Sequence, residues 1–203
     1  FESGFHRTNP PRRTRYATPA AWAEQFGVRR YGFHGASHRY VATRLGELMP
    51  DASRVISCHL GGSSSLCAIR DGASIATSMG LSPQSGLPQS SRCGDLDPFA
   101  LNLMISRTGR DVDDLLDELG SRAGLAALSN TGGDMRDIRD AAAAGSDAAR
   151  LAIDILVTAI RDYLGAYLIE LGGVDAIAFT GGIGQHDAAL RADVCRGLDF
   201  AGI

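Results

Sequence analysis

Apolar residues recur along this chain at two different spacings, and the alternation between them sets the expected fold. Between Ser37 and Met49, the residues Val41, Leu45, Leu48 and Met49 fall on one helical face and Pro50 follows, which predicts a helix capped by Ser37. Val55–Leu60 then reads as a short strand that runs into Gly61-Gly62-Ser63-Ser64-Ser65, and strand spacing returns at Leu66–Ile69. An Asp71-Gly72 turn leads on to Ala73–Ala76, a hairpin signal. Helical spacing resumes at Asp97-Pro98, where an Asp cap and a Pro at the first helical position agree. The longest predicted helix runs from Ser146 to Gly172-Gly173, with an apolar face through Leu151, Ile155, Ala159, Ile160, Tyr163, Tyr167 and Leu171. Ala176–Phe179 reads as a buried strand, Gly181–Gly184 as a tight turn and Ala188–Gly197 as a closing helix. Residues 7–19, rich in Pro, Arg and Thr, read as extended loop. Residues 80–97 carry no period and are dense in Gly, Ser, Pro and Gln, and so long an irregular stretch inside a domain points to function. The mixture predicts an α/β fold.

Composition narrows this picture. With 203 residues the chain suffices for one ordinary domain, or one plus part of another, and 44% apolar content rules out wholesale disorder. No apolar run approaches the roughly 20 residues of a membrane helix, so no membrane partner is expected. A net charge of −3 gives no global footprint for nucleic acid. All 20 basic residues are arginine. Lysine chemistry is thereby excluded, including Schiff bases and the phosphate loop ending in Gly-Lys-Ser/Thr. Any phosphate must be handled by arginine, backbone N–H groups and a metal. Cys58, Cys67, Cys93 and Cys195 show no metal spacing and read as reduced thiols of a cytosolic protein. Both ends, Phe1 and Ile203, read as cut from a longer chain.

Several segments are candidates for chemistry. Gly61–Ser65 offers backbone N–H groups and hydroxyls to an anion, the bland alternative being a plain hairpin turn. Its strand–loop–strand context excludes a dinucleotide fingerprint, which needs a helix after the glycines. Gly181-Gly182-Ile183-Gly184 is a second glycine loop, between strand and helix, that can approach a phosphate or ribose closely. Two such loops together point to a nucleotide site. His34 and His38 have helical spacing but lack a third ligand, so His34 reads as a hydrogen-bond partner for a reacting oxygen and His38 as a cap or packing residue. Arg92, within the long loop, has the planar donors that suit phosphoryl oxygens, unless it merely pairs with Asp95 or Asp97. Asp134-Met135-Arg136-Asp137 reads by itself as a capped helix start. No G-x-S-x-G occurs, and adjacent Cys58 and His59 point to opposite faces of a strand, so hydrolase chemistry is set aside.

Taken together, FESGFHRTNP (1–10), RRYGFHGASHRYV (29–41), CHLGGSSS (58–65), TSMG (77–80), RCGDLDP (92–98), DMRDI (134–138) and FTGGIG (179–184) resemble the acetate kinase family of the actin-like superfamily. The resemblance implies an actin-like (ribonuclease-H-like) lobe with a mixed sheet and flanking helices. It implies ATP-dependent, reversible phosphorylation of acetate or a similar short-chain acid to an acyl phosphate, with ADP as product and Mg²⁺ as metal. It casts His34 and Arg92 as transition-state stabilisers and His59, Leu60, Gly61, Gly62 and Ser63 as the phosphate loop. Asp134, Met135 and Arg136 match the adenosine segment, and Gly182, Ile183, Gly184, Gln185 and His186 the second nucleotide loop. Glu2 falls where the family has a catalytic aspartate that helps position metal and acetate. A homodimer through this lobe is implied as well.

The departures from that pattern are specific. Gly62 stands where the family has Asn, leaving backbone donors alone at that point. Gln185-His186 replaces Glu-Asn. Glu2 carries its carboxylate about 1.5 Å further out than aspartate, a distance that matters for catalytic placement. Residues 86–91 (GLPQSS) replace a Met-rich stretch before the arginine. The resemblance covers the second half of a two-lobe kinase, with residues 1–10 at the domain junction. Missing from it are a phosphate-contacting Asn/Ser segment, an acyl-site arginine and a magnesium-binding glutamate. The alternatives are a kinase for propionate or butyrate, and a catalytically silent nucleotide-binding module.

Overall fold

A computed structural model describes residues 2–202. One four-stranded sheet organises the chain, in the order β3-β2-β1-β4. Strands β1 (Arg54–Leu60), β2 (Ser64–Arg70) and β3 (Ala73–Thr77) form two successive antiparallel hairpins, and β4 (Ala176–Thr180) adds in parallel to β1. The predicted strands and the Asp71-Gly72 turn are all present.

Period-2 alternation along these strands gives the sheet two unlike faces. Ile56, Cys58, Leu60, Leu66 and Ala68 belong to the main core, beside Leu156, Ile160 and Leu164 of α8 (Asp147–Leu171). Val55, Cys67 and Ile69 face the other way, toward Val41 of α3 (Gly35–Leu48). Ser57, His59 and Ser65 share that second face, and His59 and Ser65 are direct cross-strand partners. The polar cluster described below is therefore a consequence of strand register.

The helix α8 starts and stops where the sequence predicts. Ser146 Oγ accepts from Ala149 N at 3.2 Å, and Gly172 closes the helix in the left-handed conformation at φ 71°. Its buried face is rotated from the predicted one. Ala149, Ala152, Ile153, Leu156, Ile160, Leu164, Tyr167, Leu168 and Leu171 are buried, whereas Leu151 is 54% exposed. The helix is apolar around most of its circumference and packs against both the sheet and α6 (Gly124–Ser129), α7 (Met135–Ala143) and α10 (Ala188–Cys195). Spacing alone cannot choose between overlapping stripes on such a helix.

Further boundaries differ from expectation. Residues 7–19 are not extended loop: a 3-10 turn (Gly4–Thr8), α1 (Pro11–Thr14) and the start of the segment leading to α2 (Ala20–Phe26) occupy this region, with Pro11 at the first helical position. The helix α3 begins at Gly35 rather than at Ser37. His34 is its N-cap residue, in the left-handed region at φ 57°, and Gly35 N donates to the Glu2 carbonyl at 2.8 Å. A Cβ at Gly35 would collide with that same carbonyl, so glycine is what lets the first residues lie across the helix start. Finally, Gly181–Gly184 is not a tight turn but opens α9 (Gly181–His186), directly after β4. The reversal is confined to Gly181 at φ 76°, where a Cβ would strike the Leu60 backbone. Helix α4 (Phe99–Thr108) starts one residue later than expected, with Pro98 as its N-cap residue and Asp97 Oδ1 accepting from Phe99 N at 2.9 Å; it and α5 (Val112–Ser121) follow the long loop, which remains irregular across residues 80–97.

Candidate active site

The two glycine loops meet in space. Gly61 and Gly62 from the β1–β2 turn, Gly182, Ile183 and His186 from α9, and Asp134, Met135 and Arg136 at the start of α7 line one cavity of about 730 Å³. That size suits a nucleotide-sized ligand. Gly61 N donates to Ser64 Oγ at 3.2 Å, while the N–H groups of Gly62 and Ser63 have no hydrogen-bond partner among the described residues. The turn therefore keeps two backbone donors uncommitted at the cavity that Gly61 and Gly62 line. Leu60 and Gly184 match the expected loops in sequence but are buried behind them, and Gln185 contributes its backbone carbonyl to Arg191 at 2.8 Å.

Asp134 accepts from Arg136 N at 2.9 Å and so caps α7, the bland reading of that segment, while it also lines the cavity. The Arg136 side chain, together with that backbone N–H, pulls the Asp134 carboxyl down to about 2. Across the cavity, Arg139 of α7 grips Asp187 through Nε at 3.0 Å and Nη2 at 3.1 Å. Asp187 also caps α10 by accepting from Leu190 N at 2.8 Å. This bidentate pair ties the two walls together. Sequence reading passed over it because its partners lie in separate segments and belong to no motif.

Arg92 sits at the edge of the glycine turn. Its Nη1 donates to Ser63 Oγ at 3.1 Å and to Gln89 Oε1 at 3.0 Å, and Ser63 donates to Gln89 Oε1 at 2.7 Å. Gln89 is itself buried and anchored by donating to the Pro83 carbonyl at 2.8 Å. The guanidinium is thus held from one side by the long loop and the turn, and it does not pair with Asp95 or Asp97. Gln89 lies in the stretch flagged only as a departure, and its role was not legible there.

His34 is half-buried and has its pKa lowered, the charge of the Arg92 guanidinium being a minor contributor. Burial is the main cause, His59 adds to it and Glu2 opposes it, and the net result is a pKa of about 4. The His34 and His59 rings are stacked with centroids 4.2 Å apart and 33° between planes. His34 Nδ1 bonds Ser65 Oγ at 2.9 Å, and His59 Nδ1 bonds Ser37 Oγ at 2.9 Å. His38 is fully buried, with Nδ1 bonded to Ser57 Oγ and Nε2 to Ser65 Oγ, both at 2.9 Å. Both its ring nitrogens are thereby engaged by serines, and it is a network residue rather than a helix cap. His6 continues the cluster, bonded to Ser74 Oγ and to the Phe33 carbonyl at 2.9 Å each. Burial lowers the pKa of His6, His38 and His59 as well. Four neutral imidazoles thus fill the space between α3 and the sheet.

Glu2 touches the start of α3 twice, through its carbonyl on Gly35 N and through Oε2, which accepts from His34 N at 3.0 Å. It holds His34 in its left-handed backbone conformation, a strained state for a side-chain-bearing residue that clusters at functional sites. Among the described residues no group of three His, Cys, Asp or Glu side chains is arranged to bind a metal ion. Among the described residues one carboxylate oxygen of Glu2 has no hydrogen-bond partner, and Mg²⁺ commonly takes only one or two protein carboxylates beside phosphates and water. Glu2 therefore fits as a single ligand and not as a complete site.

A mixed sheet covered by helices on both faces, with a cleft between a hairpin turn and a strand–helix glycine loop, defines an actin-like kinase fold. The crystal structure of Porphyromonas gingivalis acetate kinase superimposes on all of this chain with a TM-score of 0.96 at 37% identity. A propionate kinase from Francisella tularensis subsp. tularensis SCHU S4 does so over 98% of the chain with a TM-score of 0.94 at 34% identity. The model of the Acetokinase family matches residues 1–203, and the chain belongs to that family. Among curated relatives, acetate kinase 2 of Listeria monocytogenes serotype 4b is 40% identical and propionate kinase of Citrobacter rodentium 44% identical, each over 206 aligned residues that take in the whole chain. The chain spans about half the length of these relatives, 52% and 51% respectively.

Proposed function

We propose that this chain is the nucleotide-binding lobe of a two-lobe kinase that transfers the γ-phosphoryl group of ATP to a short-chain carboxylate, acetate in the first instance. One observation carries the reading. The two glycine loops and Asp134–Arg136 line a single cavity, with Arg92 hydrogen-bonded to Ser63 of its turn and His34 to Ser65 in the strand that follows. The adenosine end of ATP would lie against Met135, Arg136 and Ile183, with the phosphates running toward Gly61, Gly62 and Ser63. A carboxylate oxygen then attacks the γ-phosphorus in line. A new P–O bond forms, the bond to the bridging oxygen breaks, and its electron pair leaves on ADP. The chain's part in this step is positioning and charge neutralisation by Arg92, by the N–H groups of Gly62 and Ser63, and by His34. Glu2 would contribute one ligand to Mg²⁺, which supplies charge neutralisation for the phosphates. Acetate and propionate kinases both appear among the relatives, so the length of the acid is open to a comparison of rates across chain lengths.

The same reading includes a cytoplasmic enzyme that works as a homodimer, with residues 1–10 at the junction of the lobes. Reduced, unpaired cysteines support the first point and the exposed Phe99, Leu103 and Met104 of α4 support the second. No helix among the described residues is long and apolar enough to cross a membrane, and no nucleic-acid partner is proposed. Calorimetric titration of the folded chain with Mg·ATP and Mg·ADP tests the core of the proposal. Saturable binding of both is expected, and a folded chain that binds neither overturns it.

A further inference from the structure

The described hydrogen bonds form an unbranched chain from the sheet to the cleft: Ser57 Oγ, His38 Nδ1, His38 Nε2, Ser65 Oγ, His34 Nδ1. Every link is 2.9 Å long. Each serine has one proton to give, and a neutral imidazole has one donor and one acceptor nitrogen. With every hydroxyl proton used inside the chain, the protons point all one way or all the other; were Ser65 to accept from both imidazoles, its own buried O–H would have no acceptor among the described residues.

In the first direction Ser57 donates to His38 Nδ1, His38 Nε2–H donates to Ser65, and Ser65 donates to His34 Nδ1. His34 then carries its proton on Nε2, the ring nitrogen with no partner among the described residues of this half-buried side chain. In the reverse direction His34 donates from Nδ1, and Nε2 is left as a bare lone pair. The root of the chain decides between them. Ser57 is fully buried, and its hydroxyl has no partner other than His38 among the described residues. In the reverse direction Ser57 accepts from His38, and its own O–H is left buried with no acceptor. In the first direction only spare lone pairs go unused. An unmet buried donor is the costlier defect, enough to disfavour the reverse arrangement about tenfold or more. A protonated His38 would give the same answer at His34, since its Nε2–H would still donate to Ser65.

We propose that Ser57, His38 and Ser65 are positioning residues that fix His34 as its Nε2–H tautomer, presenting a hydrogen-bond donor to the cleft. The functional meaning of the relay rests on the kinase reading above. A donor at this point stabilises a phosphoryl oxygen and cannot take a proton from an acceptor. That fits a carboxylate acceptor, which is already ionised at neutral pH and needs no base, and it disfavours an alcohol acceptor, which does.

The test is a two-bond ¹H–¹⁵N correlation spectrum of the histidine-labelled chain at pH 7.5, with the His34 signals assigned by their loss in His34→Gln. The expected result is a protonated Nε2 and a lone-pair Nδ1 on both His34 and His38. A protonated Nδ1 on His34 overturns the proposal. In Ser65→Ala, checked as folded by circular dichroism, the two His34 nitrogen shifts should move toward each other as the tautomers begin to exchange. Unchanged His34 shifts in that variant would show that the relay does not set the tautomer. The readout needs no nucleotide. An Nε2–H tautomer in a chain that fails to bind Mg·ATP would uphold the relay while removing the kinase reading.

Discussion

Burying four imidazoles in their neutral form makes the fold sensitive to acid, by an amount that can be worked out. Each of His6, His34, His38 and His59 has a folded-state pKa below 6.5, so between that value and its folded pKa the unfolded chain binds more protons than the native one. Stability then rises with pH through this interval and falls as pH is lowered. For His34, a drop from 6.5 to about 4 corresponds to about 2 kcal/mol lost between pH 7.5 and pH 5, and water at the cleft reduces that to about 1 kcal/mol. His38, sealed in the core, is lowered well below 6.5 by burial and acts in the same direction, as do His6 and His59. Against a typical total of roughly 5–15 kcal/mol, the summed loss is readily measured. Carboxylates do not confuse the window. Asp175, pulled down to about 2 chiefly by hydrogen bonds from Arg54, contributes stability that is present above 3.8 and lost only as pH falls toward 2. Urea unfolding followed by circular dichroism at half-unit steps from pH 7.5 to 5 should show ΔG falling steadily, with the steepest loss below pH 6.5. A ΔG constant to within about 0.5 kcal/mol over that range would mean that the histidines are not held neutral by burial, and the reasoning would fail.

Other consequences can be checked singly. A Cβ at Gly62 would meet only Ser90 Oγ at 3.7 Å, so Gly62→Asn should fold normally and tighten Mg·ATP binding in calorimetry, the added amide restoring a phosphate donor. Arg139→Ala should cost about 1–3 kcal/mol in urea unfolding and weaken nucleotide binding, because it leaves Asp187 unpaired and frees one cavity wall from the other. Arg92→Ala, placed in a two-lobe kinase carrying this chain, should lower the rate of acyl-phosphate formation by roughly 10²–10³-fold while Mg·ATP affinity changes by less than about threefold. Equal losses in rate and affinity would assign the arginine to ground-state binding instead.

Strands, hairpins, the ends of α8 and the Gly61–Ser65 turn are legible because each is encoded locally, by period, by capping residues or by glycines at turns. The errors arose where distant residues set the local structure. The start of α3 is decided by the Glu2 carbonyl receiving Gly35 N, a contact spanning more than thirty positions that no helical period records. The buried stripe of α8 was misjudged because its neighbours on several sides each claim a face.

The functional residues divide in the same way. Gly61, Gly62, Asp134–Arg136 and Gly182–Ile183 at the cavity wall sit in motifs, and the sequence points to them. Ser57, Ser65, Gln89, Arg139 and Asp187 hold those residues in place but look like ordinary strand, loop and helix positions. A signal for two of them was nevertheless present. Strand alternation places Ser57 and Ser65 on the face of His59, and a serine pointing into a buried face needs a hydrogen-bond partner. The helix that covers this face, α3, carries His38, and its start presents His34. Asking where each buried hydroxyl finds its partner would have led from the hydrophobic pattern to the histidine relay. That polar accounting, rather than a motif search, is what connects the second face of the sheet to the chemistry at the cleft.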